Sequence, residues 1–206
     1  MRVPSILSNA TRRAPQQERS TQRLANFLEA AARLFVEVGY EGTTMTAVAE
    51  RTGASIGTLY HYFPDKKSIA LALLNQYAHE LEERWKPLID QTRTLSHEQF
   101  ADLFVEYAAE MVEKRPAYLK LITSPIRFSR DPAARKALRI ALTNAFRAKN
   151  PSLSNEKALV STNVLLQMIR SMAELFHDAG PKEKPYVKAE FKTIFTLYLA
   201  TILSRD

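Results

Sequence analysis

The stretch TTMTAVAERTGASIGTLYHYFPDKK, residues 43–67, decides how this chain is read. It divides into two short helices joined by a glycine turn. Thr44 stands as the N-cap of the first, its hydroxyl able to accept from a free backbone N–H of the first turn. Met45, Val48 and Ala49 then face inward, and Ala49 is small enough to let two steeply crossing helices approach. Gly53 follows four residues later, where the chain reverses and a left-handed conformation costs glycine least. Ser55 caps the second helix, whose inward residues are Leu59, Tyr62 and Phe63. Ile56, Gly57, Thr58, Tyr60 and His61 are left facing out. A small residue, a glycine turn and an outward second helix form the helix-turn-helix pattern, in which that helix enters the major groove.

An ordinary helical hairpin in an all-α core has the same spacing. Three features favour nucleic acid. The exposed face carries Thr58, Tyr60 and His61 in place of the Glu/Lys mixture of a merely solvated helix. Pro64, Asp65, Lys66 and Lys67 set two cations at the start of the next helix, where free N–H groups already favour an anion. Four of the five glycines (Gly39, Gly42, Gly53, Gly57) fall between residues 39 and 57.

With Ala31, Phe35, Gly39, Tyr40, Thr43, Thr44, Val48, Ala49, Gly53, Ser55, Gly57, Thr58, Leu59, Tyr60, Tyr62, Phe63 and Lys66 in place, the segment from Leu24 to Ile69 resembles the DNA-binding domain of the tetracycline-repressor (TetR) family of bacterial regulators. The resemblance implies that Ser55, Thr58, Tyr60 and His61 stand at the DNA, with Gly57 allowing close backbone approach. It also implies that Thr44, Tyr62 and Lys66 hold phosphates. Ile56 departs from the family pattern, which is often polar or basic there, and suits a thymine methyl better than a hydrogen bond to a base edge. Outside residues 24–69 the sequence carries no family signature of its own.

Composition agrees with such a partner. The chain has 206 residues, 29 Lys and Arg against 22 Asp and Glu, and a formal net charge of +7. Residues 1–25 hold Arg2, Arg12, Arg13, Arg19 and Arg23 against Glu18 alone. There is no cysteine, so a disulfide framework, a thiolate metal site and a cysteine nucleophile are all excluded. No apolar run approaches the ~20 residues of a membrane span, and the N-terminus lacks a signal-peptide core; a cytoplasmic protein is expected.

Residues 1–18 mix prolines, serines and arginines without periodicity and are expected to form a flexible basic arm. Two readings of it stand open: a DNA arm carrying Arg12 and Arg13, or a solubilising tail. Residues 19–66 make the DNA-binding domain. Its first helix is predicted from about Ser20 to Val38 on the stripe Leu24, Phe27, Leu28, Ala31, Leu34, Phe35 and Val38. Residues 67–206 make the second domain, entered without a linker. A helix from Asp65 towards Trp85 is shared by both and is expected to end or kink at Pro87. Further helices are predicted over Glu98–Glu113, Pro116–Ser124, Pro132–Lys149, Asn155–Ala179 and Lys184–Leu203. The acidic face Asp102, Glu106, Glu110 and Glu113 reads as solvated, as do the arginines of 132–149.

The last two helices differ in character. The runs Leu159–Ile169 and Thr193–Leu203 carry no charge, and helices apolar most of the way round are buried on more than one side. One side faces the domain's own core and the other a second copy, with Leu165 and Leu199 expected at the subunit contact. Asn163, Gln167, Arg170 and Glu174 form a polar stripe that either sets dimer register or lines a ligand pocket.

The expectation is therefore an all-α chain: an N-terminal three-helix helix-turn-helix domain joined by a shared helix to a C-terminal ligand-binding and dimerisation domain. No phosphate-cradling loop, nucleophile elbow or metal-spaced histidine pair is present, so neither catalysis nor a metal or cofactor is expected. The resemblance implies a homodimer that binds a pseudo-palindromic double-stranded operator as a repressor and is released by a small molecule. The alternative is a regulator controlled by a protein partner. Candidate pocket residues, which ordinary core packing explains more readily than ligand contact, are Trp85, Phe104, Tyr107 and Met111, then Tyr118, and finally Met168, Met172 and Phe176.

Overall fold

The computed structural model describes the backbone of residues 8–124 and 132–204, and the side chains of residues 18–124 and 138–204. All regular structure among them is helical: α1 Ser8–Glu37, α2 Gly39–Gly42, α3 Met45–Thr52, α4 Ile56–Tyr62, α5 Lys66–Asp90, α6 His97–Lys114, α7 Pro116–Thr123, α8 Pro132–Lys149, α9 Asn155–Asp178 and α10 Lys184–Leu203. The chain forms two compact units that divide at Leu73/Leu74, within α5.

In the first unit α1 is the floor. Phe27, Ala31, Leu34 and Phe35 are buried along it, as predicted, but Val38 is exposed. Val48 and Ala49 of α3 and Leu59 of α4 are buried, and Phe63 closes the end of α4. An ion pair clasps α1 to α3: Arg51 donates through both terminal nitrogens to Glu37, at 2.7 and 2.8 Å. That hydrogen bond holds the Glu37 carboxyl below its ordinary range.

Two expectations change here. Helix α1 begins at Ser8, so residues 8–18, expected without regular structure, continue it. Ala10, Arg12, Arg13, Gln16 and Gln17 are adequate helix formers and extending a helix is cheaper than nucleating one, which works against the hydrogen bond lost at Pro15. The side chains of Arg12 and Arg13, the candidate arm contacts, lie outside the described residues. Helix α5 runs through Pro87 to Asp90. Pro87 itself is exposed while Leu88 beside it is buried, so the ring and the lost hydrogen bond fall on the solvent side.

The second unit is built around α6, which packs on α10, α9 and α7, while α8 lies against α9. A capping box starts α6: Ser96 Oγ accepts from the Gln99 N–H at 3.1 Å and the Gln99 side chain accepts from the Ser96 N–H at 2.9 Å. Its core joins Phe100, Phe104, Phe146, Met172 and Phe195, all nearly or fully buried. Each such side chain contributes roughly 1.5–3 kcal/mol by leaving water. The acidic face of α6 is not simply solvated. Glu106 accepts from Lys188 and Lys192 of α10, and Glu110 accepts from Arg84 of α5. Burial pushes the Glu106 carboxyl up, but its two lysines outweigh that and hold it below its ordinary value.

Leu165 and Leu199 are fully buried in this unit's own core. They do not form the outer surface that the charge-free runs suggest. That surface is made instead by Val160, Val164 and Leu175 of α9 and by Tyr186, Ile194 and Leu197 of α10, all exposed. Both sets belong to the same two apolar helices, and pattern alone does not say which side of a doubly apolar helix faces inward.

Candidate nucleic-acid interface and ligand cavity

The helix-turn-helix is fixed by its caps. Thr44 Oγ1 accepts from the Ala47 N–H at 3.1 Å, and Ser55 Oγ accepts from the Thr58 N–H at 3.1 Å. Between them Gly53 sits at φ 66, in the left-handed region. Its N–H donates to Glu50 O and the Ala54 N–H donates to Ala49 O, both at 3.1 Å. This is a Schellman ending, which satisfies the carbonyls left over by the last turn of α3. A Cβ on Gly53 would meet nothing within 4 Å, so a substitution there is a pure backbone test. Gly53→Ala is expected to cost about 1–2 kcal/mol, and Gly53→Asn less, as measured by thermal or urea unfolding.

The anchors of α4 leave a defined outer face. Leu59 and Phe63 are buried, whereas Tyr60 is 51% exposed and Ile56 and His61 are also exposed. Thr58 shares a hydrogen bond with Ser55, Oγ1 to Oγ 2.8 Å. Gly57 is exposed, and a Cβ there would find only Ser55 Oγ, at 4.0 Å. Nothing inside the protein requires glycine at this position. Gly57 is the second residue of α4, in the first turn of the helix.

Tyr62 is only half-buried, not an inward anchor like Leu59. Its hydroxyl pairs with Ser20 Oγ at 3.1 Å and its ring packs on Phe27 with centroids 5.6 Å apart, so it ties α4 to α1. Lys66 is engaged as well: its Nζ donates to Tyr40 O at 2.7 Å and Glu41 O at 3.2 Å, and lies 4.4 Å from the Tyr40 ring centroid. It therefore caps the carbonyls of the short α2. Asp65 starts α5, Oδ1 accepting from the Ser68 N–H at 2.6 Å. Lys67 is exposed beside it. Across the turn, Arg23 and Asn26 of α1 share a cleft with Ser55 and Thr58. In the sequence Arg23 is legible only as part of a basic count; its place beside α4 comes from the packing of α1.

The second unit contains a cavity of about 370 Å³, within the ~300–1,000 Å³ typical of small-molecule sites. Trp85, Met111 and Tyr118 of the candidate pocket residues line it. Tyr107 lines a smaller neighbouring cleft of about 140 Å³ instead, with the Arg84 guanidinium 4.0 Å from its ring centroid. Phe104 packs on Trp85 at 4.7 Å between centroids. Met172 and Phe176 are buried core, and Met168 is partly buried against that core; with Phe104, none of these borders the cavity.

Three long polar side chains do border it: Arg139, Gln167 and Arg170. The last two belong to the polar stripe for which sequence leaves two roles open. Arg139 is not part of a solvated basic face, as the charge pattern of α8 suggests. Its aliphatic neighbours, Leu138 and Leu142, are the available signal that the helix turns this side inward. Among the described residues no cluster of acidic or histidine side chains could hold a metal ion, and no helix is long and apolar enough to cross a membrane.

A family model described as "Bacterial regulatory proteins, tetR family" matches residues 27–73, and one described as "Tetracyclin repressor-like, C-terminal domain" matches residues 71–199. The chain belongs to the TetR family of bacterial regulatory proteins. Membership of the TetR family thus extends over the C-terminal unit, where the residues alone show no signature.

The curated relatives are HTH-type transcriptional repressors that align over part of the chain. The HTH-type transcriptional repressor AcnR of Corynebacterium glutamicum is 39% identical over 66 residues, which is 32% of this chain and 35% of that protein. The HTH-type transcriptional repressor KstR of Rhodococcus jostii is 37% identical over 65 residues, 32% of this chain and 31% of that protein. The chain spans about a third of the length of the curated relatives it matches. Solved structures share the fold over nearly the whole chain. The TetR-family regulator PfmR from Thermus thermophilus has TM-score 0.62 at 21% identity, covering 87% of this chain and 96% of that one. The ketosteroid transcriptional regulator KstR2 of Mycobacterium tuberculosis has TM-score 0.62 at 20% identity, covering 89% and 96%.

Proposed function

We propose that this protein is a homodimeric transcriptional repressor that binds a pseudo-palindromic operator and is released from it by a small molecule held in the cavity of the C-terminal unit. The observation that carries the DNA reading is the outer face of α4. Ile56, Gly57, Tyr60 and His61 are exposed beside half-buried Thr58, on buried Leu59 and Phe63, and Gly57 has no reason inside the protein to be glycine. Thr58, Tyr60 and His61 meet base edges, Ile56 meets a thymine methyl, and Ser55 and Thr44 cap helices aimed at the backbone. Arg23, Tyr62, Lys66 and Lys67 supply the phosphate contacts. The cavity favours a small-molecule effector over control by a protein partner, for which no internal space is needed.

The test begins with selection of duplexes from a random pool, followed by titration of the winning sequence at several salt concentrations. Lys66→Ala is expected to weaken binding to all sequences alike and to lower the salt slope by roughly one unit per subunit. Thr58→Ala and His61→Ala are expected to relax preference at particular base pairs, each lost contact costing on the order of 1–3 kcal/mol. Because Lys66 also caps α2, the melting temperature of its variant is read alongside. A lowered melting point with an unchanged salt slope would make Lys66 a structural cap and remove it from the DNA surface. Failure to enrich any duplex would end the DNA reading.

A further inference from the structure

The cavity wall has one electrical character. Its body is apolar, from Leu81, Met111, Leu138, Leu166 and Ile169. Its polar members are Trp85, Tyr118, Arg139, Gln167 and Arg170, and no lining residue is acidic. Two of these carry N–H groups that are buried without an acceptor among the described residues: Nε1 of Trp85, a residue only 4% exposed, and Nε of Arg139. Buried donors in folded proteins nearly always have a partner, because leaving one unmet forfeits its hydration with no return. An indole N–H cannot accept, and a guanidinium cannot shed its proton.

Arg170 is in a different state. Its Nε donates to Glu174 at 3.1 Å and its Nη2 to Ile122 O at 2.8 Å. Its charge is answered and its plane is held, so it is part of the wall. Arg139 lines the same space, has no acidic partner among the described residues, and its Nε is buried and unmet.

We infer that the effector is an amphipathic monocarboxylate, its carboxylate oxygens accepting from Arg139 Nε and Trp85 Nε1 and its hydrocarbon body lying along Leu81, Met111, Leu166 and Ile169. This rests on the reading of the cavity as the effector site. A neutral hydrocarbon would leave both donors unmet. A cation would face Arg139 uncompensated. A dianion such as a phosphate monoester would bring a second negative charge to a wall whose other cation, Arg170, is held by Glu174.

Trp85 is the only tryptophan in the chain, so its emission reports on the cavity directly. Decanoate and 4-phenylbutyrate, each titrated against the alcohol of the same skeleton and against decylammonium, decide the matter on the full-length protein. At least one carboxylate is expected to change the Trp85 emission saturably and to bind roughly tenfold or more tightly than its alcohol, the size of one charge-assisted hydrogen bond in an apolar site. Decylammonium is expected not to compete. Arg139→Gln should abolish the preference while the alcohol still binds, and Arg139→Lys should restore part of it. Equal or tighter binding of the alcohols overturns the carboxylate inference and leaves the cavity as an effector site. Binding of none of these compounds overturns the cavity reading and the inference with it. Should Arg139→Gln fail to fold by circular dichroism, the carboxylate-to-alcohol ratio on the unmodified protein still decides between the two outcomes.

Discussion

Leu197→Arg is expected to turn the protein into a folded monomer that has lost its operator. Leu197 is 64% exposed on α10 and Val160 is 61% exposed on α9. Val160, Val164 and Leu175 repeat at helical spacing along one side of α9, as Tyr186, Ile194 and Leu197 do along α10, while Leu165 and Leu199 are buried within the subunit. Two apolar stripes side by side on one unit suit a two-fold contact with the same stripes on a second copy, giving four helices. In such a contact the substitution occurs twice, and each arginine must be buried unpaired or force the helices apart. The dimer dissociation constant is expected to rise by roughly 100-fold or more, a loss of about 3 kcal/mol. Operator affinity should fall with it, because a lone subunit reaches only one half-site. Sedimentation velocity at micromolar concentration reads the first effect and operator titration the second.

Leu165→Arg is the necessary contrast. It places a charge in the subunit's own core, so it should abolish cooperative unfolding rather than yield a folded monomer. If Leu197→Arg still sediments as a dimer, or if the unmodified protein is a monomer at that concentration, the α9–α10 face is not the subunit contact.

The second large effect concerns the link between cavity and DNA. Helix α5 is continuous from Lys66, which holds the α2 carbonyls beside the helix-turn-helix, to Leu81 and Trp85, which line the cavity. An effector that prefers one position of α5 is expected to bias the other end of the helix. Linkage is reciprocal, so an effector that weakens operator binding is expected to bind the operator-bound protein more weakly by the same factor, typically ~5–150-fold. Two glycines inserted into α5 are expected to bring this factor close to one while both sites still bind. Their place matters: Leu73, Leu74 and Tyr77 are buried, whereas Asn75 and Gln76 are exposed. Insertion between Asn75 and Gln76 opens the helix where it costs least packing. Each glycine costs about 1 kcal/mol of helix stability, so circular dichroism and a melt precede the titration. A folded insertion variant that keeps its coupling would route the signal away from α5, through the subunit contact.

What the sequence by itself determined is whatever is settled within a few residues of chain. The caps at Thr44 and Ser55, the left-handed Gly53 and the limits of α3, α4 and α10 are legible because each depends on a bond spanning three to five positions. The outer face of α4 is legible for the same reason, since helical periodicity fixes which side chains share a side. Periodicity does not say what that side meets. Tyr62 has the spacing of an inward anchor, yet it pairs with Ser20, forty-two positions away. Lys66 has the look of a free cation, yet it caps α2. Arg139 sits in a basic pattern that suits solvent, yet it lines the cavity and its Nε is buried and unmet. Leu165 and Val164 are adjacent and equally apolar, but one lies in the core and the other on the surface. These outcomes rest on contacts between distant segments, where an apolar or charged side chain has several surroundings it would accept and only the packing of the whole unit selects among them.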